Sequence, residues 1–156
     1  MPRPLLILAL AASLATTSRP AWGERPHTVY AELFGKGGLW GLGYDYRYGR
    51  YGVGGAVSAY VLDAQRVLSL SPYVTFSIAE HGRHGWFVQA GPQLVRLETP
   101  SPVPEWDGTS STGIGAQLSS GWEYRGERWL VRSYLMAAVG QGGVAPWLGV
   151  DLGWRL

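Results

Sequence analysis

The chain contains no cysteine among its 156 residues, and this absence removes several classes of protein. It excludes a disulfide framework, a thiolate metal site and the modified cysteine that anchors a lipoprotein. Histidine is scarce, with three residues, and only 15% of the chain is charged. The abundant types are instead glycine, with 23 residues, tyrosine, with nine, and tryptophan, with eight, which is unusual for a soluble domain.

The chain also lacks a second long hydrophobic segment, and its first one is too short to cross a membrane as a helix. The apolar run LLILALAASLA at 5–15 follows Arg3 and precedes the small residues AWG at 21–23. A transmembrane helix needs about 20 residues. This order of a positive, an apolar and a small-residue region predicts a secretory signal peptide over 1–23 and a single mature domain at 24–156.

A net positive charge is absent from the predicted mature domain. The 13 basic residues include Arg3 and Arg19 of the signal, which leaves 11 basic residues against 11 acidic ones. The mature net charge is therefore zero, and we expect no nucleic-acid partner.

Apolar residues recur at every second position between turn-forming residues, whereas helical periodicity is absent. The final stretch VAPWLGVDLGWRL at 144–156 has an apolar residue at every position of one parity, as far as Leu156. Each predicted strand has about the 9–11 residues that a tilted membrane strand needs. The predicted strands are 28–35, 39–48, 51–61, 70–80, 86–97, 112–124, 128–139 and 144–156.

Turn lengths and aromatic positions favour a membrane barrel over a soluble sandwich. Short predicted connections alternate with a set that includes longer ones at 62–69 and 98–111, as periplasmic turns and external loops do in outer-membrane barrels. Aromatic residues lie beside the short connections, where they form an interfacial girdle: Tyr46, Tyr48, Tyr51, Trp86, Trp122, Tyr124, Trp129 and Trp154. The sequence predicts an all-β, eight-stranded antiparallel up-and-down transmembrane β-barrel with both termini in the periplasm.

On this pattern, residues 28–156 resemble the small eight-stranded outer-membrane barrels of the OmpA transmembrane-domain and OmpX kind. The last strand is similar to the C-terminal signal that the barrel-assembly machinery reads in that family, with Leu156 where Phe is usual and Trp154 two places earlier. The resemblance implies the outer membrane of a Gram-negative bacterium, with lipids and the assembly machinery as partners. We expect a monomer without a cofactor.

Seven charged residues are predicted to face the barrel interior and to form a structural ion-pair network there. They are Glu32, Asp45, Arg47, Glu123, Arg132, Asp151 and Arg155. Eight strands leave an interior that side chains fill, and buried charges need partners. A proton or ion relay through the same residues is the alternative.

Two further regions are candidates for binding. The outer half of the interior combines glycines with Tyr60, Tyr73, Val95 and Trp147, so it is either an aromatic cup for a small ligand or a set of glycine spaces filled by rings. The predicted external loop exposes a tryptophan, the kind of residue that anchors contacts, or packs it over the barrel mouth. Its candidate recognition residues are Pro104, Glu105, Trp106 and Asp107.

No catalytic constellation emerges from the sequence. His27, His81 and His84 all fall at the predicted periplasmic end, and two histidines in a turn are weak evidence for a metal. We therefore predict a non-enzymatic outer-membrane protein with a structural, adhesive or envelope-integrity role. The alternatives are a lipid-modifying enzyme and a periplasmic lipocalin-like barrel that binds a small lipophilic ligand, which would need a polar outer face.

Overall fold

A computed structural model describes residues 25–36, 38–62, 65–101, 108–140 and 143–156. The predicted signal peptide 1–23 and the candidate recognition residues Pro104, Glu105, Trp106 and Asp107 lie outside these residues. Eight strands account for most of the described chain. They are β1 (His27–Leu33), β2 (Trp40–Tyr48), β3 (Tyr51–Leu62), β4 (Gln65–His81), β5 (His84–Thr99), β6 (Thr109–Arg125), β7 (Trp129–Gly140) and β8 (Gly143–Arg155).

The strands form one closed antiparallel barrel, as the sequence predicts. Each strand pairs with its neighbour in sequence, and β8 closes the sheet against β1, with Leu152 opposite Ala31. Closure leaves no open sheet edge around the body of the barrel, so the backbone groups there pair between strands. Across the described ranges, no helix is long and apolar enough to cross a membrane.

The two ends of the barrel differ. We call the end at which β1 begins and β8 finishes the terminal end, and the opposite end the distal end. At the terminal end, tight turns at 49–50 and 82–83 join β2 to β3 and β4 to β5. Gly49 and Gly82 adopt φ values of 59° and 58° there, which glycine reaches without steric cost.

Most strand boundaries differ from the predicted ones by one to five residues, and two of these differences have a clear structural cause. The fourth strand begins at Gln65 rather than at 70, so the long loop predicted at 62–69 is wrong. This segment pairs with β3 and β5 because its alternation continues, with Val67 inside and Leu68 outside. The first strand ends at Leu33 rather than at 35, because Phe34 has a φ of 54° and reverses the chain.

The barrel is inverted in polarity relative to a soluble protein. Among the described residues, nineteen polar or charged residues are buried, against eight hydrophobic ones. Thirty large hydrophobic residues are exposed, and most of them lie on the outer surface at alternate positions of the strands. A water-soluble domain buries its apolar side chains and almost never buries so many charges.

Candidate functional site

The terminal half of the interior contains a cluster of arginines around one carboxylate, that of Glu123. Arg47 donates from Nη2 to Glu123 Oε2 at 3.1 Å, and Arg132 donates from Nε to the same oxygen at 3.2 Å. Arg125 donates from Nη2 to Glu123 Oε1 at 2.6 Å. Glu123 is fully buried. Three guanidinium groups thus compensate the burial of one charge, and each forms the directional hydrogen bonds that arginine favours.

Asp45 and Asp151 extend this cluster across the barrel. Asp45 accepts from Arg47 Nε at 3.1 Å and also from Arg132 Nη2. Asp151 Oδ2 lies 3.7 Å from Arg132 Nη1, so Arg132 contacts three carboxylates. All of these side chains are almost completely buried, which makes each charge dependent on its partners.

The structure places all seven predicted interior charges inside the barrel. Six of them take part in the ion pairs, with Glu32 pairing toward the distal end. Arg155 donates to backbone carbonyls, from Nη1 to Gly126 at 2.6 Å and from Nη2 to Arg25 at 3.2 Å. It therefore connects the segment before β1 and the turn between β6 and β7 to the end of β8.

A lysine that does not belong to any strand completes the interior. The turn between β1 and β2 folds into the barrel, and Lys36 is 1% exposed. Its Nζ lies 3.1 Å from Glu32 Oε2 and 3.9 Å from Asp151 Oδ2. Its backbone N–H donates to Glu32 Oε1. Asp151 therefore links the lysine to the arginine cluster in one continuous network.

Three tyrosine rings surround the lysine ammonium. Nζ lies 5.3, 4.9 and 4.7 Å from the ring centroids of Tyr30, Tyr73 and Tyr134, within the range of cation–π attraction. The Tyr30 and Tyr73 hydroxyls are hydrogen-bonded at 2.8 Å, and Nζ donates to the Tyr134 hydroxyl at 3.3 Å. We call these three rings and Lys36 the tyrosine cage.

Each ring of the cage lies over a glycine on the neighbouring strand. The register pairs are Tyr30 with Gly43, Tyr73 with Gly54, and Tyr134 with Gly149. A Cβ at any of these glycines would collide with the ring, and at Gly54 it would lie 2.6 Å from Tyr73 Cζ. The glycines thus provide the space in which the rings lie, so rings fill this level of the interior.

Above the cage, at the distal mouth, an open cavity of about 230 Å³ remains. Tyr60 and Trp147 contribute aromatic walls, Met136 a thioether and Gln93 an amide, while Gly35 and Gly38 of the inward turn line its base. We call this cavity the distal cup. Of the two alternatives that the sequence leaves open, filled glycine spaces hold at the cage and an open aromatic cup holds above it.

The histidines lie at the terminal end, on the outside. His27 Nδ1 lies 2.5 Å from the Tyr44 hydroxyl, and His84 stacks on Trp122 with a centroid distance of 5.5 Å. His27 and His84 therefore belong to the aromatic belt of that end. Within the ranges that the structure describes, no group of three or more metal-ligating side chains is present.

No protein-family model and no curated protein sequence matches this chain. Solved structures match it in fold. The N-terminal β-barrel domain of Pseudomonas aeruginosa OprF superposes with a TM-score of 0.64 at 12% identity, over 85% of this chain and 98% of that domain. Ail, the attachment invasion locus protein of Yersinia pestis, gives a TM-score of 0.54 at 11% identity, over 83% and 93%.

A third match leads to the same conclusion. Neisserial surface protein A has a TM-score of 0.52 at 12% identity, over 83% of this chain and 92% of that one. The chain has the fold of the small eight-stranded outer-membrane β-barrels. At these identities the likeness concerns the fold alone, and it confirms the resemblance that the alternating strands predict.

Sequence reasoning missed two charged members of the interior network. Arg125 continues the inward parity of Glu123, so alternation alone would have found it had the predicted strand not stopped at 124. Lys36 lies in a turn, where no periodicity indicates a direction. Only the carboxylates facing the turn, Glu32 and Asp151, indicate that a cation is needed there.

Proposed function

We propose that the chain is an integral outer-membrane protein of Gram-negative bacteria with a structural, adhesive or envelope-integrity role. The observation that carries this proposal is the inverted polarity of the barrel. Leu42, Leu118 and Leu152 are each more than half exposed on three different strands, whereas Asp45 and Glu123 are fully buried. Such a surface is stable when lipid covers it, since a closed barrel satisfies its own backbone in hydrocarbon.

Aromatic residues support a specific orientation. At the terminal end, Trp129 packs edge-to-face on Trp154 with a centroid distance of 4.6 Å, and Trp86 is 49% exposed. Trp40, 55% exposed, lies on the outer face near the distal end. Two aromatic belts flank the apolar band of a membrane barrel. With its short turns, the terminal end would face the periplasm and the distal end the outside of the cell.

The distal end, which would face the outside of the cell, is the surface through which the protein would contact other molecules in an adhesive or envelope role. β5 and β6 remain paired as far as Thr99 and Thr109, whereas the last β6 residue paired with β7 is Ala116. The β5–β6 hairpin therefore rises above its neighbour on one side. A hairpin that projects from the barrel supports contact with other molecules at the cell surface.

The alternatives have less support. A lipocalin-like barrel in the periplasm needs a polar outer face, and the described outer face is apolar. An enzyme of the outer leaflet would need a general base near the distal rim, most often a histidine, and all three histidines of the chain lie at the terminal end. We therefore propose that the protein is not an enzyme and that it works as a monomer.

Cell fractionation with heat-modifiability tests the proposal. The mature protein should occur in the outer-membrane fraction and migrate differently on SDS gels before and after boiling. As a matched control, the periplasmic fraction of the same cells is probed with the same antibody. Recovery of the protein from that soluble fraction would refute the membrane location and favour the lipocalin-like alternative.

A further inference from the structure

The distal cup combines features that suit one small ligand. Although Trp147 has the inward parity of β8, its side chain is 47% exposed, so it presents an aromatic surface to the solvent inside the mouth. Tyr60 forms another part of the same wall and is half-buried. Uncovered aromatic surface gains free energy when a ligand removes it from water.

A buried amide beside the cup lacks partners. Gln117 is 3% exposed, and neither its Oε1 nor its Nε2 makes a hydrogen bond. It lies directly opposite Ala138, which lines the cup, and its β5 neighbour Gly91 is two residues from Gln93. Gln117 does not itself line the cup, so its amide reaches a ligand there only by rotation of the side chain. A buried amide without partners is costly, so a donor and an acceptor met in the cup would stabilise the rotated amide.

The base of the cup is held in place before any ligand arrives. The Lys36 carbonyl accepts hydrogen bonds from Ser69 Oγ at 2.8 Å, Ser71 Oγ at 3.1 Å and Gln93 Nε2 at 3.3 Å. A Cβ at Gly38 would lie 3.0 Å from Tyr60 Cδ1, so the turn also supports the aromatic wall. A site formed in advance loses little entropy on binding.

These features define the chemistry of the ligand. Among the residues that the structure describes, those that line the cup carry no charged side chain, so these walls favour a neutral ligand. The volume of about 230 Å³ is below the roughly 300–1,000 Å³ of pockets for drug-sized ligands, so it accommodates a single ring. The aromatic walls favour a ring with a flat C–H face, and the amides favour hydroxyl groups, which both donate and accept. A pyranose ring has both properties.

We propose that the distal cup binds one neutral hexopyranose ring, packed on Trp147 and Tyr60 and hydrogen-bonded to Gln93 and Gln117. Binding itself requires only the folded barrel. That the ring belongs to a glycan outside the cell rests on the orientation in the proposed function.

The test uses the isotope-labelled mature protein, folded in micelles of a zwitterionic detergent that carries no sugar headgroup. Methyl hexopyranosides of glucose, galactose and mannose are titrated while the indole N–H signals are followed by NMR. We expect saturable shifts of the Trp147 signal with at least one sugar. Trp147→Ala should weaken binding by about tenfold or more, whereas Trp40→Ala, an exposed tryptophan on the outer face of the same end, should leave it unchanged.

Gln117→Leu separates binding from folding. Because this change removes two buried polar atoms that lack partners, it should leave the barrel as stable as before or more stable, yet it should weaken sugar binding. The proposal is overturned if no methyl hexopyranoside binds, or if Trp147→Ala binds the sugars as well as the unmodified barrel does. It is also overturned if p-cresol, a small aromatic ring, displaces the sugars at a lower concentration than the sugars need to bind. A protein that binds sugar but fractionates as soluble would retain the site and refute the membrane location alone.

Discussion

The tyrosine cage makes Lys36 the residue whose replacement should most clearly test the interior. Lys36→Met keeps the length of the side chain and removes its charge. The Glu32 and Asp151 carboxylates, now 3.1 and 3.9 Å from Nζ, then lose that cation in a site where each is about 1% exposed or less. Removal of one partner from a buried ion pair costs about 3–5 kcal/mol, and three cation–π contacts are lost as well.

The loss of stability is measured as the decrease in the free energy of unfolding in urea, with the barrel in lipid vesicles. The double variant Lys36→Met/Glu32→Gln is the matched control. It removes both charges of the nearer pair. The amide oxygen of the glutamine still accepts the hydrogen bond that the backbone N–H of position 36 now donates to Glu32 Oε1. We expect it to recover stability to within about 1–2 kcal/mol of the unmodified barrel.

Lys36 also offers a chemical test, because it is the only lysine in the chain. An amine-reactive reagent should modify the N-terminus of the folded barrel and leave the side chain of Lys36 unmodified until the protein is unfolded, as peptide mass spectrometry would show. If Lys36 reacts equally fast in the folded and unfolded protein, or if Lys36→Met costs less than about 1 kcal/mol, the turn does not lie inside the barrel and the cage is wrong.

Three further predictions concern the packing and the lipid face. Gly149→Ala should destabilise the barrel by about 1–3 kcal/mol in urea unfolding, because its Cβ would collide with Tyr134, whereas Gly113→Ala, with no atom within 4 Å, should change little. Glu123→Gln should cost about 3–5 kcal/mol in the same assay, because three arginines lose their shared anion; an unchanged midpoint would contradict the network. Leu118→Arg should cost roughly 2–4 kcal/mol in vesicles if this position faces lipid at mid-depth, and no change there would argue against burial in a membrane.

The strands and their directions follow from local rules, and so they were predictable. Alternation has a period of two, and a closed membrane barrel gives every strand one polar inner face and one apolar outer face. β2 shows this directly, since Trp40, Leu42 and Tyr44 are outside and Asp45 and Arg47 are inside. β4 begins earlier than predicted, at Gln65, because the alternation continues there and the segment pairs with both β3 and β5.

The cage was not predictable because it depends on contacts between residues far apart in sequence. Tyr30, Tyr73 and Tyr134 meet only after the barrel closes, and each needs a glycine at one register position. Lys36 enters the interior because two carboxylates and three tyrosine rings surround its ammonium there, not because of its own neighbours in sequence. Glycines in the strands indicate free space beside them, but the sequence does not show whether a ring fills a given space or which ring does so.

The order of the layers along the barrel axis limits where a ligand could act. The arginine cluster fills the terminal half, with Arg132, Glu123 and Asp151 each 1% exposed or less. The tyrosine cage lies above it and fixes the Lys36 turn, and that turn forms the base of the distal cup. A network of buried charges resists rearrangement, because moving one member leaves its partners buried without a compensating charge. The interior is therefore a rigid support. A ligand can bind only in the cup and at the segments around the distal mouth.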